Sequence, residues 1–236
     1  MRTVFVLARK ELFSYFTSPM AYVVATFYLG ITSLLFVLYI SSGQAQAQMR
    51  DLFHTMIFLT LMMAPVITMA LIAQERNLGT IETLLTRPVL DLQVVAGKYF
   101  AALGLFLMMI VVSLIYPCIM SKFGSLDWSE VFVGYLGLIL VGAAFLAIGL
   151  FASSLTSNQI AAAILATFLL LVFWLIGWIA NSVGTGVGDI LKQLSIYENV
   201  QDFEKGIFDT KPLLFFLSLI FFFLFLTVRS LETRRA

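Results

Sequence analysis

The sequence predicts an all-α integral membrane protein with six transmembrane helices, an amphipathic helix before them, a short helix between spans two and three, and a helical hairpin before the last span. Three observations carry this. Apolar residue types make up 61% of the 236 residues and charged types 11%, whereas a soluble domain is about half apolar and about a quarter charged. With a mean hydropathy of +1.02, the excess cannot all be hidden in a core, so much of it faces lipid. Apolar runs of the length that crosses a bilayer recur six times, at about 1.5 Å of rise per residue and roughly 20 residues per span. Backbone groups in lipid must bond within their own segment, which leaves helices as the spanning element.

Residues 3–16, "TVFVLARKELFSYF", predict a helix lying on the membrane. Phe5, Ala8, Leu12 and Phe16 share one face at helical spacing, and Thr3, Lys10 and Ser14 share the opposite one, as in helices that sit at the headgroup boundary. Ser18-Pro19 turns the chain into the first span, 21–40. Basic residues, an apolar run and then "GQAQAQ" (43–48) mimic a secretory signal, but the run and the stretch before it are both too long for one.

The remaining spans are read at 53–73, 99–121, 131–152, 159–179 and 211–229, with "SSLTSN" (153–158) as the turn between the fourth and fifth. Small residues four apart, Ala143 and Ala147, Gly149 and Ser153, Ala162 and Ala166, permit close helix approach. Residues 180–210 are too long for a plain turn. Asp189 is placed to cap a short helix through Leu194, and Asn199 a second one through Phe203, closed by Gly206. Pro212 falls in the first turn of the last span, where a missing N–H is harmless.

Orientation follows the basic residues. An even number of spans puts both termini on one side, with nine Lys/Arg (Arg2, Arg9, Lys10, Arg76, Arg87, Lys98, Arg229, Arg234, Arg235) against five opposite (Arg50, Lys122, Lys192, Lys205, Lys211). Both termini and residues 74–98 are therefore expected in the cytoplasm of a bacterial inner membrane. Trp128, Trp174 and Trp178 fall at the outer interface, as an aromatic belt.

Several chemistries find no support. No phosphate-binding G-x-x-x-x-G-K-[ST] run exists, and Gly184, Gly186 and Gly188 lack a following lysine. The one cysteine, Cys118, offers no disulfide or thiolate site. Met49, His54 and Met56 are types that a soft metal takes, yet methionine is ordinary in an apolar helix, and no metal is assigned. No ionisable residue lies deep in a span, against the habit of ion-coupled transporters. No nucleic-acid partner is indicated.

The stretch "QERNLGTIETLLTRPV" (74–89) stands apart. Thr80 is a plausible N-cap and Glu82 suits the helix dipole. Ile81, Leu84 and Leu85 make an i, i+3, i+4 apolar face, and Pro88 ends the helix within two turns. A helix this short must bury its face against a partner.

With its continuation to Leu103, this stretch resembles the signature of ABC-2-type permeases, through Glu75, Gly79, Thr80, Glu82, Leu84, Leu85, Pro88, Gly97 and Lys98. The end, "FEKGIFDTKPLLFFLSLIFFFLFLTVRSLETRR" (203–235), resembles the branch of gliding-motility-associated permeases and the copper-accessory permease of nitrous oxide reductase. The resemblance implies a single transmembrane domain over the whole chain. Residues 3–16 would be its elbow helix, with Phe5, Arg9, Lys10, Leu12 and Phe16. Residues 79–88 would be its coupling helix, docking on an ATP-binding subunit, with Glu75, Arg76, Gly79, Thr80, Ile81, Glu82, Leu84, Leu85, Arg87 and Pro88 at the contact. Residues 180–210 would be its outer re-entrant hairpin. Two permease chains, identical or paralogous, would pair with two ATPase chains that hold the ATP and Mg. A further partner would supply the large extracytoplasmic domain that this chain lacks. On this reading the chain is not itself an enzyme. ATPase closure pushes the coupling helix, and rigid spans two and three carry the push. The competing readings are a force-transducing membrane scaffold that translocates nothing, and copper handling through Met49, His54 and Met56.

Overall fold

A computed structural model describes residues 2–41, 45–80, 90–122, 126–182 and 186–233. The described residues are all-helical, and six helical stretches are long and apolar enough to cross a membrane. Helix α1 (Arg2–Thr17) is followed by the first span, α2 (Pro19–Ser41). The second span consists of α3 (Ala45–Thr68) and a separate short α4 (Ala73–Asn77). The third is α5 (Asp91–Ser113) continued by α6 (Ile115–Met120). The fourth is α7 (Trp128–Leu155) and the fifth α8 (Gln159–Ser182). Two short helices, α9 (Val187–Leu194) and α10 (Ile196–Glu204), precede the sixth span, α11 (Thr210–Glu232).

The fourth span is the centre of the bundle. Of its most apolar window 78% is buried, against 22% for the first and sixth spans, so those two form the rim. Its composition explains the position. Gly142 takes the ring of Phe106 from the third span, and Gly149 takes Thr68 from the second, where a Cβ would collide with either neighbour. Ala143, Ala147 and Ser153 are buried on the same helix, as are Ala162 and Ala166 on α8. Large exposed apolar residues, such as Phe27 and Leu34 on α2 and Phe221 and Phe225 on α11, stay on the rim, where lipid is their solvent.

Two spans are interrupted among the described residues. Pro117 has no N–H for the carbonyl of Ser113, and its ring would press on that group. The third span accordingly breaks at Leu114, and the hydroxyl of Tyr135 donates to Ser113 O at 2.8 Å in place of the missing bond. The second span contains Pro65 and then leaves helical geometry over residues 69–72. Neither interruption was expected from the hydropathy.

Other local expectations shift. The fourth span runs on to Leu155, so Ser153 and Ser154 are helical and the turn begins at Thr156. Asn158 caps the fifth span by accepting from Ile160 N at 2.9 Å. Ser195 rather than Asn199 caps α10, accepting from Glu198 N at 3.3 Å. Asn199 instead donates to the carbonyls of Gln193 and Ser195, which it reaches from inside the first turn. Asp189 lies within α9, whose N-cap position is Gly186. Gly206 has φ +71 just past α10, as anticipated for a glycine that ends a helix.

Candidate functional site

The end of the bundle that holds both termini carries the most unusual chemistry. Lys98 lies about two turns into the third span, with its side chain 3% exposed. Its ammonium is 2.8 Å from Glu75 Oε1 and 3.5 Å from Glu11 Oε1. A buried ammonium is strongly disfavoured unless paired, and here two carboxylates from two other elements answer it. One charge thereby ties three pieces together: α1 through Glu11, α4 through Glu75 and the third span itself.

This tie sets the rotation of α1. The side predicted to be apolar was Phe5, Ala8, Leu12 and Phe16. The structure packs Leu7, Ala8, Glu11, Leu12 and Tyr15 inward and leaves Phe5 69% exposed, with Arg9 and Lys10 also outside. Two contacts set this rotation. Glu11 must reach Lys98, and Gly97 opens a slot that Leu7 fills, while Leu12 lies over Gly104. Leu12 and Phe16 do pack against the core. Tyr15 also donates to Ile67 O at 2.7 Å, binding α1 to the second span.

The second feature is the break in that span. Over residues 69–72 the helix ladder stops, and the Ser153 hydroxyl, fully buried on the fourth span, replaces it. It donates to Met69 O at 3.0 Å and accepts from Ile72 N at 3.2 Å and Ala73 N at 3.1 Å. A serine hydroxyl has one donor and two acceptor sites, so all three are used. The second span is therefore two helices joined by a non-helical stretch, where one unbroken helix was expected. Helix α4, with Glu75 and Arg76, sits beyond the joint.

Gly79 follows α4 with φ +68. That left-handed value is cheap only for glycine, and it turns the chain as α4 ends. Thr80 Oγ1 donates to Glu75 O at 3.2 Å, so in the described structure its hydroxyl closes α4. Ile81, Glu82, Leu84, Leu85, Arg87 and Pro88 lie outside the described residues. The third span resumes with Leu90 at the N-cap position and Asp91 in its first turn.

The weak metal candidates are not assembled. Met49 and Met56 are buried, 5% and 0% exposed, seven residues apart and hence on one face of α3. His54 is on another face, with its side chain 46% exposed and its Nδ1 3.0 Å from Glu204 Oε1. No group of three His, Cys, Asp or Glu among the described residues is placed to hold a metal. The His54–Glu204 pair was not anticipated, because the partners are 150 residues apart. Burial raises the Glu204 carboxyl above its usual range, and His54, Arg50 and Lys205 offset part of that rise. Tyr197 packs edge-on to both His54 and Trp174, so α10 is fixed to the second and fifth spans. Cys118 is exposed on α6.

Ser153 and Glu11 are the residues that sequence reasoning missed. Ser153 was read as a turn residue and a small packing residue. Glu11 was assigned no role.

The family model described as ABC-2 family transporter protein matches residues 10–233. No curated protein matches the chain.

Proposed function

This chain belongs to the ABC-2 transporter family, and from that premise we propose that it is the permease subunit through which a separate ATP-binding subunit drives transport. The observation that carries the reading is the Glu11–Lys98–Glu75 tie. It joins α4, which precedes the 79–88 segment, to the third span and to α1, so a load that reached α4 would have a path into the bundle. ATP and Mg are held by the partner, in two copies, and a second permease chain completes the membrane half. Both termini and the 79–88 segment face the cytoplasm of a bacterial inner membrane, supported by the nine-to-five division of basic residues.

In this mechanism Ile81, Leu84 and Leu85 anchor on the ATPase, while Glu82 and Arg87 set the register. Movement enters at α4. The joint at 69–72 lets α4 turn without bending α3, and Lys98 passes the motion to α5 and α1. A bistable element of this kind can shift between two packed arrangements when one end is biased.

The test is reconstitution with the ATPase in vesicles. Leu84→Asp together with Leu85→Asp should abolish permease-stimulated ATP hydrolysis while membrane insertion is normal; undiminished stimulation would refute the assignment. Hydrolysis without movement of any offered substrate would instead favour a force-transducing scaffold of the gliding-machinery kind.

A further inference from the structure

We propose that the outward face of α1 is a docking surface for an anionic phospholipid of the leaflet at the termini end. Phe5, Val6, Arg9, Lys10 and Phe13 line a shallow groove of about 360 Å³ on this face. Phe5, Val6 and Phe13 are 60–70% exposed, while the opposite face is occupied by the third span. The groove therefore has two cations between aromatic side chains and is open to whatever surrounds the bundle.

Depth identifies the occupant. Leu7 lies beside Gly97 and Leu12 beside Gly104, so α1 descends along the third span. Lys98 is the last charged residue in that span before Lys122. Arg9 and Lys10 thus sit at the level where charge gives way to apolar sequence, which is the headgroup level, and Phe13 sits a turn deeper, at acyl-chain level. Cations over an aromatic body at that boundary match a phosphate-bearing headgroup with its chain alongside. Glu11, the neighbouring acid, points the other way and is held by Lys98, so it does not cancel the positive face. An anionic lipid held there would also fix α1, and with it the position of Glu11 at the buried lysine.

The test needs only the permease in vesicles, so its failure is separate from failure of the proposed coupling role. Phe13→Trp supplies a reporter, with the unsubstituted chain as the blank for Trp128, Trp174 and Trp178. Brominated phosphatidylglycerol or brominated phosphatidylcholine is added at equal low mole fraction to phosphatidylcholine vesicles. The anionic lipid should quench at about one-fifth the mole fraction or less, the factor expected for one cation at an anionic surface. Arg9→Gln with Lys10→Gln in the same background should remove the preference. Equal quenching by the two lipids, or a preference that survives loss of both cations, overturns the proposal. Absence of quenching by either lipid also overturns it, and would mean that a second copy or another subunit covers the face.

Discussion

At the termini end, Lys98 is held between two carboxylates with its side chain 3% exposed; at the far end, His54 meets one carboxylate and leaves 46% of its side chain in solvent. The termini end also contains a helix break bridged by a hydroxyl from another span. The far end has short helices pinned by a serine cap and aromatic packing. Each end has a helix break bridged by a hydroxyl from the fourth span, Ser153 at the termini end and Tyr135 at the far end, so the contrast is between a buried electrostatic knot and a half-exposed clasp. On the coupling role proposed above, the knot lies at the end that would receive force.

The comparison breaks if the knot is dispensable. Lys98→Met takes the cation away from Glu75 and Glu11, whose side chains are 23% and 17% exposed, so the expected loss is about 3 kcal/mol, the low end for a broken buried pair, read as a lowered apparent Tm of the purified permease, together with loss of ATPase stimulation. Lys98→Arg should restore part of both. Stability and stimulation unchanged in Lys98→Met would show that the knot bears no load. Next in size is Ser153→Ala. It strands Met69 O, Ile72 N and Ala73 N, at a cost of about 1–3 kcal/mol, and amide exchange at Ile72 and Ala73 should accelerate ahead of the rest of the span. Uniform protection across residues 64–77 would mean that the hydroxyl is not what closes the joint.

Smaller effects belong to the far end. Because burial raises the Glu204 carboxyl, the folded state binds that proton more tightly than the unfolded state. The contribution of Glu204 to stability is thus fullest below the ordinary carboxyl value of 4.5 and declines as pH rises through the raised value. Subtracting the Glu204→Gln curve from that of the native chain should isolate this decline; parallel curves would contradict it. The least consequential change is Arg229→Gln. The Arg229–Glu232 pair is close, 2.8 Å, but exposed, and its loss should shift stability by no more than about 0.5 kcal/mol. A larger shift in thermal unfolding would place the sixth span's end in the knot as well.

The six spans were legible because hydropathy and the length of a bilayer crossing suffice to find them. The position of the fourth span at the centre was legible in part, through its glycines and alanines. The breaks were not. "APVITMALIAQ" (64–74) reads as unbroken apolar helix, and the group that holds it open is a serine 84 residues away. Lys98 was visible as part of a Gly-Lys motif, but the lysine alone does not name its counter-charges. Glu11 carried no signal beyond its position on a helix whose apolar side was judged from Phe5. A charge buried in the third span outweighed that aromatic, and α1 turned accordingly.

The saturated hydroxyl of Ser153 has a consequence for hydration. Unpaired amides and carbonyls inside a bilayer invite water. With its one donor and both acceptor sites engaged, Ser153 keeps Met69 O, Ile72 N and Ala73 N from needing water as a partner. In the coupling cycle proposed above, a second span that moved at this joint would do so with those three groups already paired inside the protein.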